Sequence, residues 1–118
     1  MASAQAGSAT IVTNVRRITV YRVVDPTELA HLQAAGDYGS SPALSGKYFA
    51  LMLAGAQSFA SAPMNSGCAI TVTTLPRSIL SLAFAFNDPG PNGAGPSIHF
   101  NETRLQTVYA AMTPPVVV

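Results

Sequence analysis

The feature that most constrains this fold is a strand rich in β-branched residues, at positions 16–24, that runs straight into a helix. Alternation along the strand puts Val20, Arg22 and Val24 on one apolar face. A guanidinium cannot give up its charge, so its burial among aliphatic neighbours requires a carboxylate, a phosphate or several carbonyls within reach. Arg22 is therefore a candidate binding residue. The alternative is an edge strand from which Arg22 simply reaches solvent.

Capping signals mark the helix that follows this strand. Asp25 is a good N-cap, Pro26 suits the first helical position, and Glu28 stands where it would complete a capping box. Gly36 ends the helix. Two leucines face the core, whereas His31 falls on another side of the helix and is expected in solvent rather than in a catalytic triad.

The rest of the chain alternates short strands with short helices and turns, which is typical of an α+β domain. Residues 1–10 are expected to form a flexible lead-in and residues 11–118 a single domain, with a short strand or an extended arm at 11–15. We predict strands at 47–52, 68–75, 82–86 and 97–100, helices at 53–61 and after the capping residue Asn101, a helical turn at 76–78, and a long turn-forming run at 87–96.

The amino-acid composition limits the kinds of partner and the cellular setting that we expect for this chain. Charged residues make up 9% of the chain and apolar residues 48%, so the surface is weakly charged and favours a partner or a homo-oligomer. A net charge of +1 gives no reason to expect a nucleic-acid or membrane partner. The longest apolar run, 48–56, is too short to span a bilayer, and residues 1–8 lack a secretory signal, so we expect a soluble protein. The single cysteine, Cys68, is expected to be a small core residue.

Two motifs, taken in order and spacing, resemble those of ADP-ribosyltransferase-like toxin domains at the carboxyl ends of bacterial polymorphic and Rhs-type toxins. The resemblance extends over residues 20–107, and more weakly through Thr73-x-x-Pro76-x-Ser78-x-Leu80. It implies a compact split β-sheet with two or three short helices around a cleft for NAD. The motifs are Tyr21-Arg22-Val23-Val24-Asp25-Pro26-x-Glu28-Leu29 and Gly46-Lys47-Tyr48-Phe49-Ala50.

The resemblance also implies roles for individual residues. Arg22 would hold the phosphate or ribose of the dinucleotide, and Tyr21 would bind the cofactor beside it. Lys47, Tyr48 and Phe49 would line the nicotinamide pocket, with Tyr48 stacking on a ring. Arg22 and Tyr48 are thus both expected to be catalytic.

The catalytic carboxylate is where this sequence departs from the family pattern. In the family, a glutamate near the last strand stabilises the oxocarbenium-like transition state as nicotinamide leaves. Glu102 is nearest to that site, but it follows the strand at 97–100 instead of opening it. Asp88, in the turn-forming run, is the other candidate. We expect Glu102 to be the catalytic acid, with two alternatives: that Asp88 has this role, or that neither carboxylate has it.

The expected function is that of a toxin domain that cleaves the nicotinamide–ribose bond of NAD and transfers ADP-ribose to a macromolecule or to water. Such a domain would be delivered into a target cell or secreted as part of a larger toxin, and an immunity protein would neutralise it. The alternative is a non-enzymatic binding or assembly module that keeps the fold. A nuclease is least favoured because His and acidic residues are scarce, and we predict no metal site.

Overall fold

A computed structural model describes residues 16–41 and 45–118, so the lead-in and the strand or arm expected at 11–15 lie outside the described residues. The class is α+β, as predicted: six strands form one sheet in the order β4-β5-β2-β1-β3-β6, with every neighbouring pair antiparallel. The strands are β1 Arg17–Val24, β2 Gly46–Ala50, β3 Ala69–Pro76, β4 Phe84–Asp88, β5 Gly95–Asn101 and β6 Val116–Val117, and the helices are α1 Pro26–Ala35, α2 Leu53–Ala60 and α3 Leu105–Ala111. In the part of the chain that is described, no helix has both the length and the apolar character needed to cross a membrane.

The pairing of the strands divides this sheet into two halves. β1 pairs with β3 along its whole length, and β2 pairs with β5 at all five of its positions. The two halves meet between β1 and β2, where Tyr21 opposite Ala50 is the one registered pair. Backbone hydrogen bonding is therefore dense within each half and sparse between the halves.

The hydrophobic core lies on the face of the sheet that the alternation predicted. Val20 and Val24 of β1 are buried there, and Arg22 lies between them on the same face. Side chains from β2, β5, α1 and α3 complete the core, with Leu75 and Tyr38 from β3 and the loop after α1. The core consists of Val20, Val24, Leu32, Tyr38, Phe49, Leu75, Ile79, Ile98, Phe100, Leu105 and Val108.

The start of α1 agrees with its capping signals except in one respect. An Asp25 side-chain oxygen accepts a hydrogen bond from the backbone N–H of Glu28 at 2.7 Å, Pro26 opens the helix, and Gly36 ends it in the left-handed conformation. The predicted capping box is wrong, because the Glu28 carboxylate binds two cationic side chains instead of the helix end. Ionic partners within reach bind a carboxylate more strongly than a neutral N–H does.

Other differences from the sequence-based prediction lie at element ends. The turn-forming run is shorter than expected, because β4 continues to Asp88 and β5 begins at Gly95. Asn101 makes no side-chain cap, and a 3₁₀ segment at Glu102–Arg104 precedes α3. A six-residue 3₁₀ segment, Arg77–Leu82, replaces the single turn, and the next strand begins two residues later than predicted, at Phe84. β6 was not predicted, since its valines follow two prolines and pair only at the sheet edge.

The loop between β4 and β5, residues 89–94, lies against α2. Ser58 of α2 donates a hydrogen bond to the carbonyl of Pro91 at 3.1 Å. Gly55 permits the close approach, because a Cβ atom there would come within 1.9 Å of the Ala94 carbonyl oxygen. The absence of a side chain at position 55 therefore sets how closely this loop packs on the helix.

Replacing Gly55 with alanine should destabilise the protein even though alanine favours a helix by about 1 kcal/mol over glycine. The added methyl group would collide with the backbone of Ala94 and displace the loop from α2. Urea unfolding followed by circular dichroism measures the change. Ala54→Ser, at the neighbouring exposed helix position, is the control and should change stability little. A Gly55→Ala variant as stable as the parent protein would contradict the close packing.

Candidate functional site

A cavity of about 530 Å³ lies where β1 and β2 separate. Its walls come from both halves of the sheet, from α2 and from the loop between β4 and β5. Five aromatic side chains line it, together with four charged ones, and apart from Val23 the remaining lining is small or polar. The aromatic residues are Tyr21, Tyr48, Phe49, Phe59 and Phe86, and the charged residues are Arg22, Asp25, Glu28 and Asp88.

Arg22 lies in the gap between the two halves and bridges it. Its Nε and Nη2 donate to the two carboxylate oxygens of Glu28 at 2.5 and 2.8 Å, in the bidentate geometry that suits a guanidinium. Its Nη1 donates to the backbone carbonyl of Tyr48 on β2 at 2.9 Å. The Arg22 side chain is 11% exposed and that of Glu28 14%. Arg22 is therefore largely, though not fully, buried, and its guanidinium is paired within the protein.

Lys47 approaches the same carboxylate from β2. Its Nζ lies 3.2 Å from Oε1 of Glu28, and its side chain is 3% exposed. Lys47 follows the same alternation as Phe49, so its side chain points to the core face. Unlike Phe49, it does not line the cavity. One carboxylate on α1 thus binds a cation from each half of the sheet.

Tyr38 packs beside this cluster from the loop after α1. The Cζ atom of Arg22 lies 5.8 Å from the centre of the Tyr38 ring, within the range of a cation–π contact. The Tyr38 hydroxyl lies 2.7 Å from the Thr71 hydroxyl, which in turn donates to the Arg22 carbonyl. Burial raises the pKa of Tyr38 to about 12, although the Thr71 hydroxyl and Arg22 oppose that rise. Tyr38 therefore stays neutral and supports Arg22 from the core side.

Aromatic rings on the opposite face of the sheet line one side of the cavity. Tyr48 is 45% exposed, and its ring centre lies 5.7 Å from that of Phe86 and 4.4 Å from that of His99. His99 is paired with Tyr48 across β2 and β5, and its Nε2 is buried without a hydrogen-bond partner among the described residues. The ring of Tyr48 is held by its neighbours in an orientation that leaves part of it open to the cavity.

Glu102 fixes the loop after α1. Its carboxylate accepts hydrogen bonds from the Ser40 hydroxyl and from the Ser41 backbone N–H, the latter at 2.8 Å. The hydrogen bond from Ser40 is the main reason that the pKa of Glu102 lies below its usual value, and the bond from Ser41 adds to it. Ser41 lines the cavity, whereas Glu102 does not.

Asp88 is a further carboxylate in the lining of the cavity. It ends β4 opposite Gly95, and its Oδ2 accepts a hydrogen bond from the backbone N–H of Ala94 at 2.9 Å. This bond holds the carboxylate at the point where the loop rejoins the sheet. Asp88 shares the lining of the cavity with Tyr48 and Arg22.

The structure therefore brings together only some of the residues singled out by sequence. Tyr21, Arg22, Tyr48 and Phe49 line one cavity, although Phe49 is almost fully buried. Lys47 and Glu102 lie outside that lining. His31 is exposed, as predicted, and pairs with Asp37. Cys68 is partly exposed in the cavity wall, so the prediction of a core cysteine is wrong.

Sequence reasoning missed the part that Glu28 plays. Glu28 stands at the third position of the helix, where a glutamate is expected to take part in capping. That interpretation left no reason to pair it with Arg22, six residues earlier in the chain. The sequence did contain a signal. Arg22 lies on the apolar face near the end of a strand, and Glu28, in the first turn of the next helix, is a carboxylate long enough to reach it. Tyr38 gave no signal, because its position depends on the path of an irregular loop.

We compared the chain with protein families, curated proteins and solved structures. No family model matches it, and neither a search of curated proteins nor a search of solved structures finds a match.

Glu28→Ala should cost about 3–5 kcal/mol of unfolding free energy, because it leaves two buried cations without their carboxylate. Urea unfolding monitored by circular dichroism gives the value. His31→Ala is the control, since it removes a contact with Asp37 in which the histidine side chain is 48% exposed, and it should cost less than about 1 kcal/mol. Equal losses of unfolding free energy in the two variants would contradict the prediction that the Arg22–Glu28 pair contributes more to stability than an exposed contact does.

Glu102→Gln should lower the melting temperature at neutral pH, and that difference should shrink as the pH falls below 4.5. The folded protein holds the pKa of this carboxyl below its unfolded value, so its stabilising contribution is present above the unfolded value and disappears as acid protonates the folded state. Melting curves across this pH range test it. Ser40→Ala, which removes the main donor, should show the same trend with smaller amplitude. A difference independent of pH would contradict it.

Proposed function

We propose that this protein is a NAD-binding domain of the ADP-ribosyltransferase type, which cleaves the nicotinamide–ribose bond and passes ADP-ribose to a macromolecule or to water. The observation that supports this most is the contact between Arg22 and the backbone of Tyr48 at the edge of the cavity. It joins the two motifs on which the resemblance rests, at the point where the sheet divides.

The cavity has the size and lining that such a ligand needs. Its volume lies within the range of roughly 300–1,000 Å³ found for small-molecule sites. Tyr48 and Phe86 offer faces for a planar ring. Arg22 uses three of its N–H groups on Glu28 and Tyr48, and two have no partner among residues 16–41 and 45–118. Those two groups are available to a phosphate or a ribose hydroxyl of NAD.

The reaction requires stabilisation of positive charge on the ribose. As the bond to nicotinamide breaks, the ring nitrogen takes the bonding electrons, nicotinamide leaves neutral, and the anomeric carbon becomes cationic. We assign the stabilising carboxylate to Asp88, since it lines the cavity that Arg22 and Tyr48 share, whereas Glu28 is paired with Arg22 and Asp25 caps α1. Glu102, the residue favoured from sequence, is bound to Ser40 and Ser41 and is proposed to hold their loop in place. A hydroxyl or amine of the acceptor, or water, then attacks the anomeric carbon and loses its proton.

The proposal extends to the setting in which such domains act. Delivery into a target cell or secretion as part of a longer toxin, and neutralisation by an immunity protein, belong to the same proposal. The weakly charged surface favours a protein partner or a second copy of the chain over a nucleic acid.

One observation favours a second candidate, a binding or assembly module that keeps the fold without catalysis. Glu28 already neutralises the Arg22 guanidinium inside the protein. The anion that the buried arginine requires is therefore supplied by the chain itself. A module of this kind would need no dinucleotide.

Incubating the purified protein with NAD and a cell lysate tests both candidates. We expect release of nicotinamide, and we expect Asp88→Asn to slow it by about 100-fold, the usual effect of removing a group that stabilises transition-state charge. Chromatography measures the nicotinamide, and labelled NAD reveals any modified acceptor.

Glu102→Gln is the matched control, since it removes a carboxylate that lies outside the cavity lining. It should retain more activity than Asp88→Asn. The absence of both nicotinamide and labelled acceptor, with no rise in melting temperature on adding NAD, would favour the binding module.

A further inference from the structure

A second cation buried behind the cavity needs an explanation that the proposed reaction does not give. Lys47 is 3% exposed, and the oxygen that it contacts, Oε1 of Glu28, is the same oxygen that accepts from Nη2 of Arg22. Burying an ammonium group is costly, and the single polar contact that the Lys47 ammonium makes within residues 16–41 and 45–118, at 3.2 Å, stabilises the fold weakly by comparison. The arrangement fits a role in fixing the position of the carboxylate.

We propose that Lys47 and Glu28 are positioning residues for Arg22, and that together they hold its guanidinium with two N–H groups directed to an anionic ligand in the cavity. Lys47 restrains the Glu28 carboxylate, and the carboxylate grips the guanidinium at two points. The carbonyl of Tyr48 is the third point that restrains the guanidinium plane. This inference rests on the proposed function for the ligand, while the geometry of the three side chains stands without it.

Lys47 also reduces the repulsion between the Glu28 carboxylate and an anionic ligand. A lone carboxylate beside Arg22 would repel the ligand that Arg22 is meant to hold. Two cations and one carboxylate leave the cluster with one positive charge, which offsets part of the negative charge that Asp25 and Asp88 bring to the cavity lining. Positioning and charge are separate effects, and substitutions at Glu28 and Lys47 divide them.

The test uses inorganic pyrophosphate as the probe and isothermal titration calorimetry as the measurement. Lys47→Met keeps the length of the side chain and removes its charge, and we expect it to weaken binding about tenfold, the lower end of the effect of losing an outer-shell positioning group. Arg77→Met, which removes one positive charge from an exposed residue, is the matched control and should bind as the parent protein does.

Glu28→Gln separates positioning from charge. It removes the negative charge of the carboxylate and so raises the net charge of the cluster by one. Charge alone therefore predicts tighter binding of pyrophosphate. Positioning predicts weaker binding, because an amide cannot grip the guanidinium with two anionic oxygens. Tighter or unchanged binding by Glu28→Gln would overturn the proposal, and so would a Lys47→Met variant that binds like Arg77→Met.

A second measurement needs no ligand. In spectra of ¹⁵N-labelled arginine, a held guanidinium gives separate, slowly exchanging Nη signals for Arg22, and these should merge in both Lys47→Met and Glu28→Gln. Merging of the Arg22 signals while the signals of the other arginines stay near those of the parent protein identifies positioning rather than general loosening of the fold. Unchanged signals in both variants would overturn the proposal.

The two measurements also separate this inference from the proposed function. If the parent protein binds neither pyrophosphate nor NAD but its Arg22 signals depend on Lys47, the positioning role stands and the proposed function fails. If the parent protein binds both ligands and neither variant changes affinity or spectra, the proposed function stands and the positioning role fails. Circular dichroism of each variant first establishes that it folds.

Discussion

The structure depends on one carboxylate that binds a cation from each half of a divided sheet. Glu28 lies on the first helix, Arg22 on β1 and Lys47 on β2. Because the backbones of these two strands share a single registered pair, the ion cluster is a second link between the halves. The helix, the strand before it and the strand after it are thereby tied together at the point where the sheet is weakest.

The cavity exists because of that weakness. Where two strands separate, their backbone groups need other partners, and the Arg22 guanidinium serves the Tyr48 carbonyl in place of a neighbouring strand. The gap exposes side chains from both faces of the sheet to one volume, so a buried arginine and an exposed tyrosine line the same site. A fully paired sheet would keep these two residues on opposite sides.

The electrostatics of the site follow from burial rather than from overall charge. The chain carries a net charge of +1, and four of its eleven charged side chains line this cavity, with Lys47 bound to one of them. Buried ion clusters are weak contributors to stability, since desolvation offsets most of the attraction. Their presence in a chain so poor in charge is better explained by a requirement for geometry. That requirement connects the positioning of Arg22 with the proposed binding of an anionic ligand.

The sequence by itself determined the local elements: the apolar face that holds Arg22, the helix that Asp25 begins and Gly36 ends, and the class of fold. These follow from alternation and capping, which depend on neighbouring residues. Only the tertiary structure decided that Glu28 serves Arg22 and Lys47, and that Asp88 lines the cavity while Glu102 does not. The partners of Glu28 and the lining of the cavity depend on where strands distant in sequence pair and where they separate. The spacing of residues along the chain does not predict those positions.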